Sequence, residues 1–291
     1  MKINRLLAWG SGLAFALLLA GGASHAQTPA PSTQQAPAQA PANKPKDQVT
    51  PLTMDSPTPP PVSAEEDAAI KTFRDSPNSD LQTKMKAADT YLTKYPQGRY
   101  RAEVYGWMVR AYLATSQISK MEQAGTKELE LVPNDAQTMA ILGSALPRAM
   151  SSSMTPEERE RVLAEAEQDC KKALEVLPTL PKPDGMTDEA FVVAKNQTMS
   201  MAYSGLGIIA FRRGKYSDAI PSLEQSLRLD PQPDPVNYYI LALSNENASH
   251  FDDAITAFTK CAAIESGLQA ICKAGIEEAK KKAATQLSIP K

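Results

Sequence analysis

The chain has 291 residues, of which 42% are hydrophobic and 22% are charged, and its formal net charge is −2 at pH 7. A nucleic-acid-binding domain normally presents a strongly basic face, so this charge argues against that class. The sequence contains two histidines, His25 and His250, and we expect His25 to be removed with an export signal. A histidine-rich metal site is therefore excluded, and we predict no catalytic residue, no cofactor and no metal ligand.

Residues 1–26 are typical of an export signal. Two basic residues precede an apolar run, and the small residues Ser24 and Ala26 fit the signal-peptidase pattern. The apolar run is short for a membrane span of about 20 residues and contains two glycines. We therefore predict cleavage before Gln27 and a periplasmic location. An uncleaved signal that anchors the chain in the membrane is the alternative.

Residues 27–62 consist mainly of Pro, Ala, Gln, Ser and Thr and hold 10 of the 23 prolines. Proline restricts its own backbone and that of the preceding residue, and such a stretch buries too little apolar surface to offset its chain entropy. We predict a disordered, extended linker. The alternative is a proline-rich ligand for another domain.

Helical patterning begins near Ser63 and continues to the C-terminus without a convincing alternating strand. Ser63 and Glu66 have the spacing of a capping box, which predicts a helix over 64–74. The sequence therefore predicts an all-α fold.

The clearest pattern lies in residues 200–233, where two helices are predicted on either side of Gly214. Ser217 is a candidate cap for the second helix, with Pro221 in its first turn, where amide hydrogens need no partner. Small residues at Gly207 and in the second helix allow the two antiparallel helices to approach closely. The segment is therefore predicted to form a helical hairpin with an apolar face left to bury.

This segment resembles the tetratricopeptide repeat, in which Trp-x2-Leu-Gly-x2-Tyr is followed by Ala-x3-Phe and then Pro. The residues that carry the resemblance are Tyr203, Leu206, Gly207, Ala219, Leu223 and Pro231. The pattern recurs 35 residues later at Tyr238, Leu241, Ala254 and Phe258, with Ser266 where proline is expected. We expect these residues to pack the helices of each repeat together.

Upstream copies of the pattern are weaker. Leu142-Gly143 resembles a first helix, and about 11 extra residues separate it from its second helix, which we expect to start at Thr155. Thr187 is a candidate cap for a later long helix. The resemblance implies one solenoid over 63–291, with about four helix pairs and a capping helix at 267–285, because a terminal face that meets water needs a polar cover.

The three cysteines have different expected roles. Cys261 lies on the second helix of the last repeat and Cys272 on the capping helix, so an oxidising compartment would allow them to form a disulfide. Two reduced, buried thiols are the alternative. Cys170 occupies a large apolar position and is expected to be a core residue.

Tetratricopeptide arrays curve, and their first helices line a concave surface that commonly binds an extended peptide or a partner helix. The resemblance therefore implies a partner-binding groove, whose candidate residues are Arg110, Arg148, Ser204, Arg212, Tyr239 and Asn247. Arginines there would favour a carboxylate-bearing partner. The alternative is that these side chains are merely solvated.

These features predict a non-enzymatic adaptor or scaffold in the bacterial periplasm, acting in envelope assembly, secretion or polymer export. The expected partner is a protein or peptide. We expect no nucleic-acid partner and no stable membrane insertion after signal cleavage. The alternative is a structural protein of the envelope that associates with itself.

Overall fold

The structure is a computed structural model that describes residues 63–287. Within that range it contains eleven α-helices, one short 3₁₀ turn and no strand, so the predicted all-α class is confirmed. The helices are α1 Ala64–Asp75, α2 Leu81–Lys94, α3 Arg101–Ala114, α4 Ile118–Leu131, α5 Ala136–Ala149, α6 Pro156–Val176, α7 Asp188–Arg212, α8 Tyr216–Leu229, α9 Pro235–Asn247, α10 Phe251–Ala263 and α11 Gln269–Leu287. The predicted signal at 1–26 and linker at 27–62 lie outside the described residues.

Consecutive helices pair into five units, α1–α2, α3–α4, α5–α6, α7–α8 and α9–α10, which we number 1 to 5, and α11 packs on α10. The sequence predicted about four pairs. In unit 1 the helix predicted over 64–74 is α1, which buries Ile70 and Phe73 in a shared core with α2 and α3. Helix α11 begins two residues later than the predicted capping helix.

Units 2, 4 and 5 turn from first to second helix through the same three-residue connection. Ser116, Gly214 and Ser249 occupy equivalent positions there with φ of 56°, 74° and 65°. The amide of the next residue donates back to a carbonyl in the last turn of the first helix, as in Gln117 N–H to Tyr112 O at 2.9 Å. This is the Schellman arrangement, in which a left-handed residue ends a helix and satisfies its last carbonyls.

The predicted helix starts were correct at Thr155 and Thr187, whose hydroxyls accept from the third residue of α6 and α7. The prediction that Ser217 caps α8 is wrong. Helix α8 begins at Tyr216, directly after the Schellman turn, so its N-cap is Lys215 and Pro221 lies inside the helix.

The extra residues of unit 3 lengthen the loop after α5 and also α6, which has 21 residues where α8 has 14. The added turns of α6 bind the end of α7. Arg213 donates from Nε to Glu160 Oε1 at 3.0 Å and from Nη2 to the same oxygen at 2.6 Å, and Nη1 pairs with Glu167. The insertion therefore joins unit 3 to unit 4.

Close helix contacts in the middle of the solenoid depend on glycine. A Cβ at Gly205 would lie 2.5 Å from Cys170 Sγ and 2.6 Å from the Gly143 carbonyl oxygen. A Cβ at Gly143 would also collide with Cys170 Sγ. Helices α5, α6 and α7 therefore meet around one buried thiol, and the three residues fit together because two of them lack side chains.

Candidate partner-binding surfaces

Most of the predicted repeat-packing residues lie in the core. Gly207, Ala219, Leu223, Leu241, Ala254 and Phe258 are buried, Tyr203, Leu206 and Tyr238 are half-buried, and Pro231 is exposed. At Gly207 a Cβ would lie 2.5 Å from Leu223 Cγ. The close approach that the sequence predicted for α7 and α8 is therefore a contact between this glycine and one leucine.

The surface formed by the first helices α3, α5, α7 and α9, which we call the inner surface, contains a polar network centred on Arg148. Its guanidinium pairs with Asp234 at the start of α9. Its Nη2 donates to Ser204 Oγ at 2.7 Å and to Asn237 Oδ1 at 3.0 Å. Ser204 also donates to Asn237 at 2.7 Å. Arg148 therefore links α5, α7 and α9, and this differs from the expectation of a guanidinium directed at a partner.

The two other predicted arginines make no ion pair within the described residues. Arg110 is half-buried on α3 and donates to Gln137 Oε1 at 3.1 Å. Arg212, at the end of α7, donates to the Arg148 carbonyl oxygen at 3.4 Å. Burial lowers the pKa of both guanidinium groups below the usual value. The negative charges of Glu128 and Asp135 partly offset this lowering of the pKa for Arg110. The positive charge of Arg159 lowers the pKa of Arg212 further.

Tyr239 and Asn247 differ in exposure. Tyr239 is 6% exposed, and its ring centroid lies 6.1 Å from that of Phe258. It therefore packs in the core and does not line an open surface. Asn247 is exposed at the end of α9 and donates to the Leu243 carbonyl oxygen at 2.7 Å.

The structure contains a disulfide between Cys261 on α10 and Cys272 on α11, with Cα atoms 6.0 Å apart. Both residues are fully buried. Cys170 is a free thiol, also fully buried, and burial raises its pKa well above the usual range. A thiol that stays protonated is a poor nucleophile, so Cys170 acts as a packing residue.

A second surface, which the sequence did not indicate, is a cleft of about 790 Å³ between α2 and the turn from α3 to α4. We call it the outer cleft. Leu81, Met85 and Tyr112 contribute apolar walls, and Lys86 and Lys120 add positive charge. Leu81 is one of four large hydrophobic side chains that are exposed among the described residues.

The sequence holds no separate signal for the outer cleft. Helix α2 buries Lys84, Ala88 and Tyr91 along one face. Leu81 and Met85 belong to the same face, because positions 81, 84, 85 and 88 have the i, i+3, i+4, i+7 spacing of an ordinary buried stripe. Met85 packs against the core, and the structure leaves Leu81 exposed at the edge of that stripe.

Within residues 63–287 no cluster of His, Cys, Asp or Glu is arranged to hold a metal ion. His250, the candidate for any histidine-based chemistry, is exposed at the N-cap of α10. No helix in the same range is both long and apolar enough to cross a membrane.

Comparison with known proteins finds one family match and two similar structures. The tetratricopeptide-repeat profile matches residues 200–233, and no curated protein sequence matches the chain. PilW, described as a widely conserved type IV pilus biogenesis factor, has a similar structure, with a TM-score of 0.50 and 17% identity over 77% of this chain and 89% of PilW. TTC0263, a tetratricopeptide protein of Thermus thermophilus, has a TM-score of 0.45 and 16% identity over 74% and 98% of the two chains. The matched segment, residues 200–233, is a tetratricopeptide repeat formed by the end of α7 and by α8, and the other consecutive helix pairs have the same helical-hairpin arrangement.

Proposed function

We propose that this protein is a non-enzymatic scaffold of the bacterial periplasm that binds a peptide or helix of a protein partner on its inner surface. One observation carries the proposal. Arg110 and Arg212 are half-buried cations on first helices, and neither has a carboxylate within 4.0 Å among the described residues.

A buried charge is costly unless it is paired, and the lowered pKa of both arginines expresses that cost. A carboxylate that arrives with a partner would supply the missing charge through a bidentate hydrogen bond. The partner segment that fits best therefore carries acidic side chains or a C-terminal carboxylate.

Arg148 has a different role in this proposal. Because Asp234, Ser204 and Asn237 already bind its guanidinium, Arg148 holds the first helices of units 3, 4 and 5 in one arrangement. The arrangement keeps the inner surface preorganised, which reduces the ordering cost when a partner binds.

Charge reversal tests the proposal. Arg110→Glu and Arg212→Glu should each reduce cross-linked capture of the partner from envelope extracts while the melting temperature stays close to that of the wild type. Arg228→Glu makes the same charge change on the exposed face of the second helix α8 and should leave capture intact. Undiminished capture by both inner-surface variants would move the binding site elsewhere.

The periplasmic location and a role in envelope assembly or secretion are supported by the signal-like residues 1–26. Mass analysis of the N-terminus of envelope protein should find Gln27 first, whereas an intact N-terminus in membranes would mean a retained anchor. Pilus biogenesis, the role described for PilW, is one form of envelope assembly. A similarity at 17% identity supports the fold alone, so the pilus role is stated here of PilW only.

Self-association is a second candidate function, and one observation favours it. Val192 and Val193 are 54% and 45% exposed on the first turns of the long helix α7. Apolar side chains on a projecting helix can pack on a second copy. Sedimentation over a range of concentrations should show a dimer that Val193→Ser weakens, while a monomer at every concentration would exclude this function.

A further inference from the structure

The outer cleft is an open groove whose apolar walls are the 36% exposed Leu81, the half-buried Met85 and the 9% exposed Tyr112. We propose that the chain's own proline-rich segment, residues 52–62, occupies this cleft in an extended polyproline conformation. The proposal concerns the groove between α2 and the turn from α3 to α4, and it does not depend on the partner proposed above.

The place where the segment joins the described chain supports this assignment. Residue 62 precedes Ser63, which caps α1 beside the C-terminal end of α2. Glu65 Oε2 lies 3.8 Å from Lys94 Nζ, and Lys94 is one of the residues that line the cleft. The next residue, Glu66, accepts from Tyr91 OH at 2.6 Å. The segment therefore starts next to one end of the cleft that it would fill.

The lengths agree. The cleft follows α2 from Leu81 to Lys94, which is 14 residues or about 21 Å at the helical rise. A polyproline II chain advances about 3.1 Å per residue, so about seven residues span that distance. Residues 52–62 supply this stretch and leave several residues for the connection to α1.

The chemistry of the walls suits prolines. Proline-rich segments bind in shallow grooves lined by aromatic and apolar side chains, because their conformation is already restricted before binding. The cleft offers the 36% exposed Leu81, the half-buried Met85 and the 9% exposed Tyr112, whose ring centroid lies 5.6 Å from Lys120 Nζ. The segment offers four prolines, at 57, 59, 60 and 61, followed by Val62.

The charges are complementary as well. Lys86 and Lys120 line the cleft together with one acidic residue, Asp89, which leaves an excess of one positive charge. The third lysine, Lys94, is already paired with Glu65. The segment carries one charged residue, Asp55. Placing Asp55 near Lys86 and Lys120 satisfies both sides, whereas a basic segment would be repelled.

Photo-cross-linking in the full chain tests this assignment. The probe is benzoylphenylalanine in place of Leu81, or in place of the exposed neighbour Gln82 if the first variant does not fold. After irradiation, mass spectrometry should find the probe joined to peptides containing residues 52–62 in the monomer band. The same probe at Val192, which is 54% exposed on α7, should give no such product.

Proline replacements provide the matched control. Glycine at positions 57, 59, 60 and 61 together should abolish the cross-link to 52–62, while glycine at positions 29, 31, 37 and 41 should preserve it. Asp55→Lys should weaken the product. Products that join the cleft to a second copy, the absence of any product with 52–62, or equal loss in both glycine variants would overturn the proposal.

Discussion

Units 1 and 2 share the helix-pair plan of units 4 and 5, but their interiors are held together by different chemistry. The first two units bury ionisable side chains, Glu66, Lys84 and Glu128, which are 4%, 6% and 6% exposed. The buried polar residues of the last two units are serines, asparagines and a threonine. Units 1 and 2 therefore bury hydrogen-bonded ionisable groups, whereas units 4 and 5 bury only uncharged polar groups.

The contacts around Glu66 illustrate the N-terminal chemistry. Its Oε1 accepts from Tyr91 OH at 2.6 Å and from the Arg99 amide at 2.7 Å, and the Tyr100 amide donates to Tyr91 OH at 3.0 Å. In unit 4 the corresponding space between helices is closed by Gly207 against Leu223. Tight glycine contacts occur in unit 2 as well, where a Cβ at Gly106 would collide with Glu128 Oε1, so the buried ionisable groups are what distinguish units 1 and 2.

The largest expected effect is a loss of stability when the glycine–leucine contact of unit 4 is overpacked. Gly207→Leu should lower the free energy of unfolding by about 3 kcal/mol or more, because overpacking a tight contact forces backbone shifts. Ala164→Leu, on an exposed face of α6, is a matched control that should change stability little. Urea denaturation measures both, and a wild-type midpoint for Gly207→Leu would mean that this helix contact is looser than described.

The disulfide gives the next effect, at the C-terminal end of the same region. Cys272→Ser or added reductant should lower the free energy of unfolding by about 3 kcal/mol, as expected for a closed loop of about 12 residues. Thiol counting on denatured protein from the periplasm should find one free thiol per chain, from Cys170. Three free thiols would show that α11 is held by apolar packing alone.

Glu66→Ala tests the N-terminal chemistry. It leaves the Tyr91 hydroxyl and the Arg99 amide without their shared acceptor, and each unsatisfied buried group costs about 1–3 kcal/mol. We expect a loss of about 2 kcal/mol, measured by thermal denaturation. Glu65→Ala, beside it on α1 but exposed, should have little effect. Equal losses of stability in Glu66→Ala and Glu65→Ala would mean that the buried hydrogen bonds of Glu66 do not stabilise unit 1.

The pH dependence of stability should come from the buried charges. Burial raises the pKa of Glu128 to about 7, although Thr138 donates to its carboxylate and Arg110 lies near, while Asp135 raises the pKa further. The folded state therefore holds a proton that the unfolded state, with a pKa near 4.5, has released. Stability from this group is present at acid pH and falls as pH rises through the interval from 4.5 to 7.

We expect the free energy of unfolding to fall by about 1–2 kcal/mol between about pH 5 and pH 8, after allowance for partial solvent access. Glu128→Gln should remove most of this slope. Asp169, whose pKa burial raises to about 6, would account for the remainder. A slope that Glu128→Gln leaves unchanged would contradict the assignment.

The smallest effect concerns the shared turn. Ser249→Gly should stabilise the protein by less than about 1 kcal/mol, because glycine adopts a φ of 65° without strain but also loses more entropy on folding. Gly214→Ser at the equivalent position of unit 4 should have the opposite sign. Both are measured as shifts in the urea midpoint, and equal signs would show that φ does not decide the effect.

Local patterns predicted part of this molecule well. The repeat at 200–233, the caps at Thr155 and Thr187 and the close approach at Gly207 involve residues that meet within one helix or one hairpin. The C-terminal units could therefore be predicted from the sequence, because close packing demands small residues at fixed spacing. The number of helix pairs was underestimated by one, because the upstream copies keep only fragments of the repeat pattern. Glu66, which accepts from Tyr91 and joins the helices of unit 1, is no part of that pattern.

The candidate binding surfaces were less predictable from the sequence, because their side chains contact residues that are distant in the sequence. Arg148 pairs with a carboxylate 86 residues away, and nothing near it in sequence shows that its charge is already neutralised. Helix class, hairpin order and capping follow from hydrogen bonds and steric contacts within a few residues. Which guanidinium lacks an ion pair, and where a cleft stays open, depends on how the packed helices place distant side chains against one another.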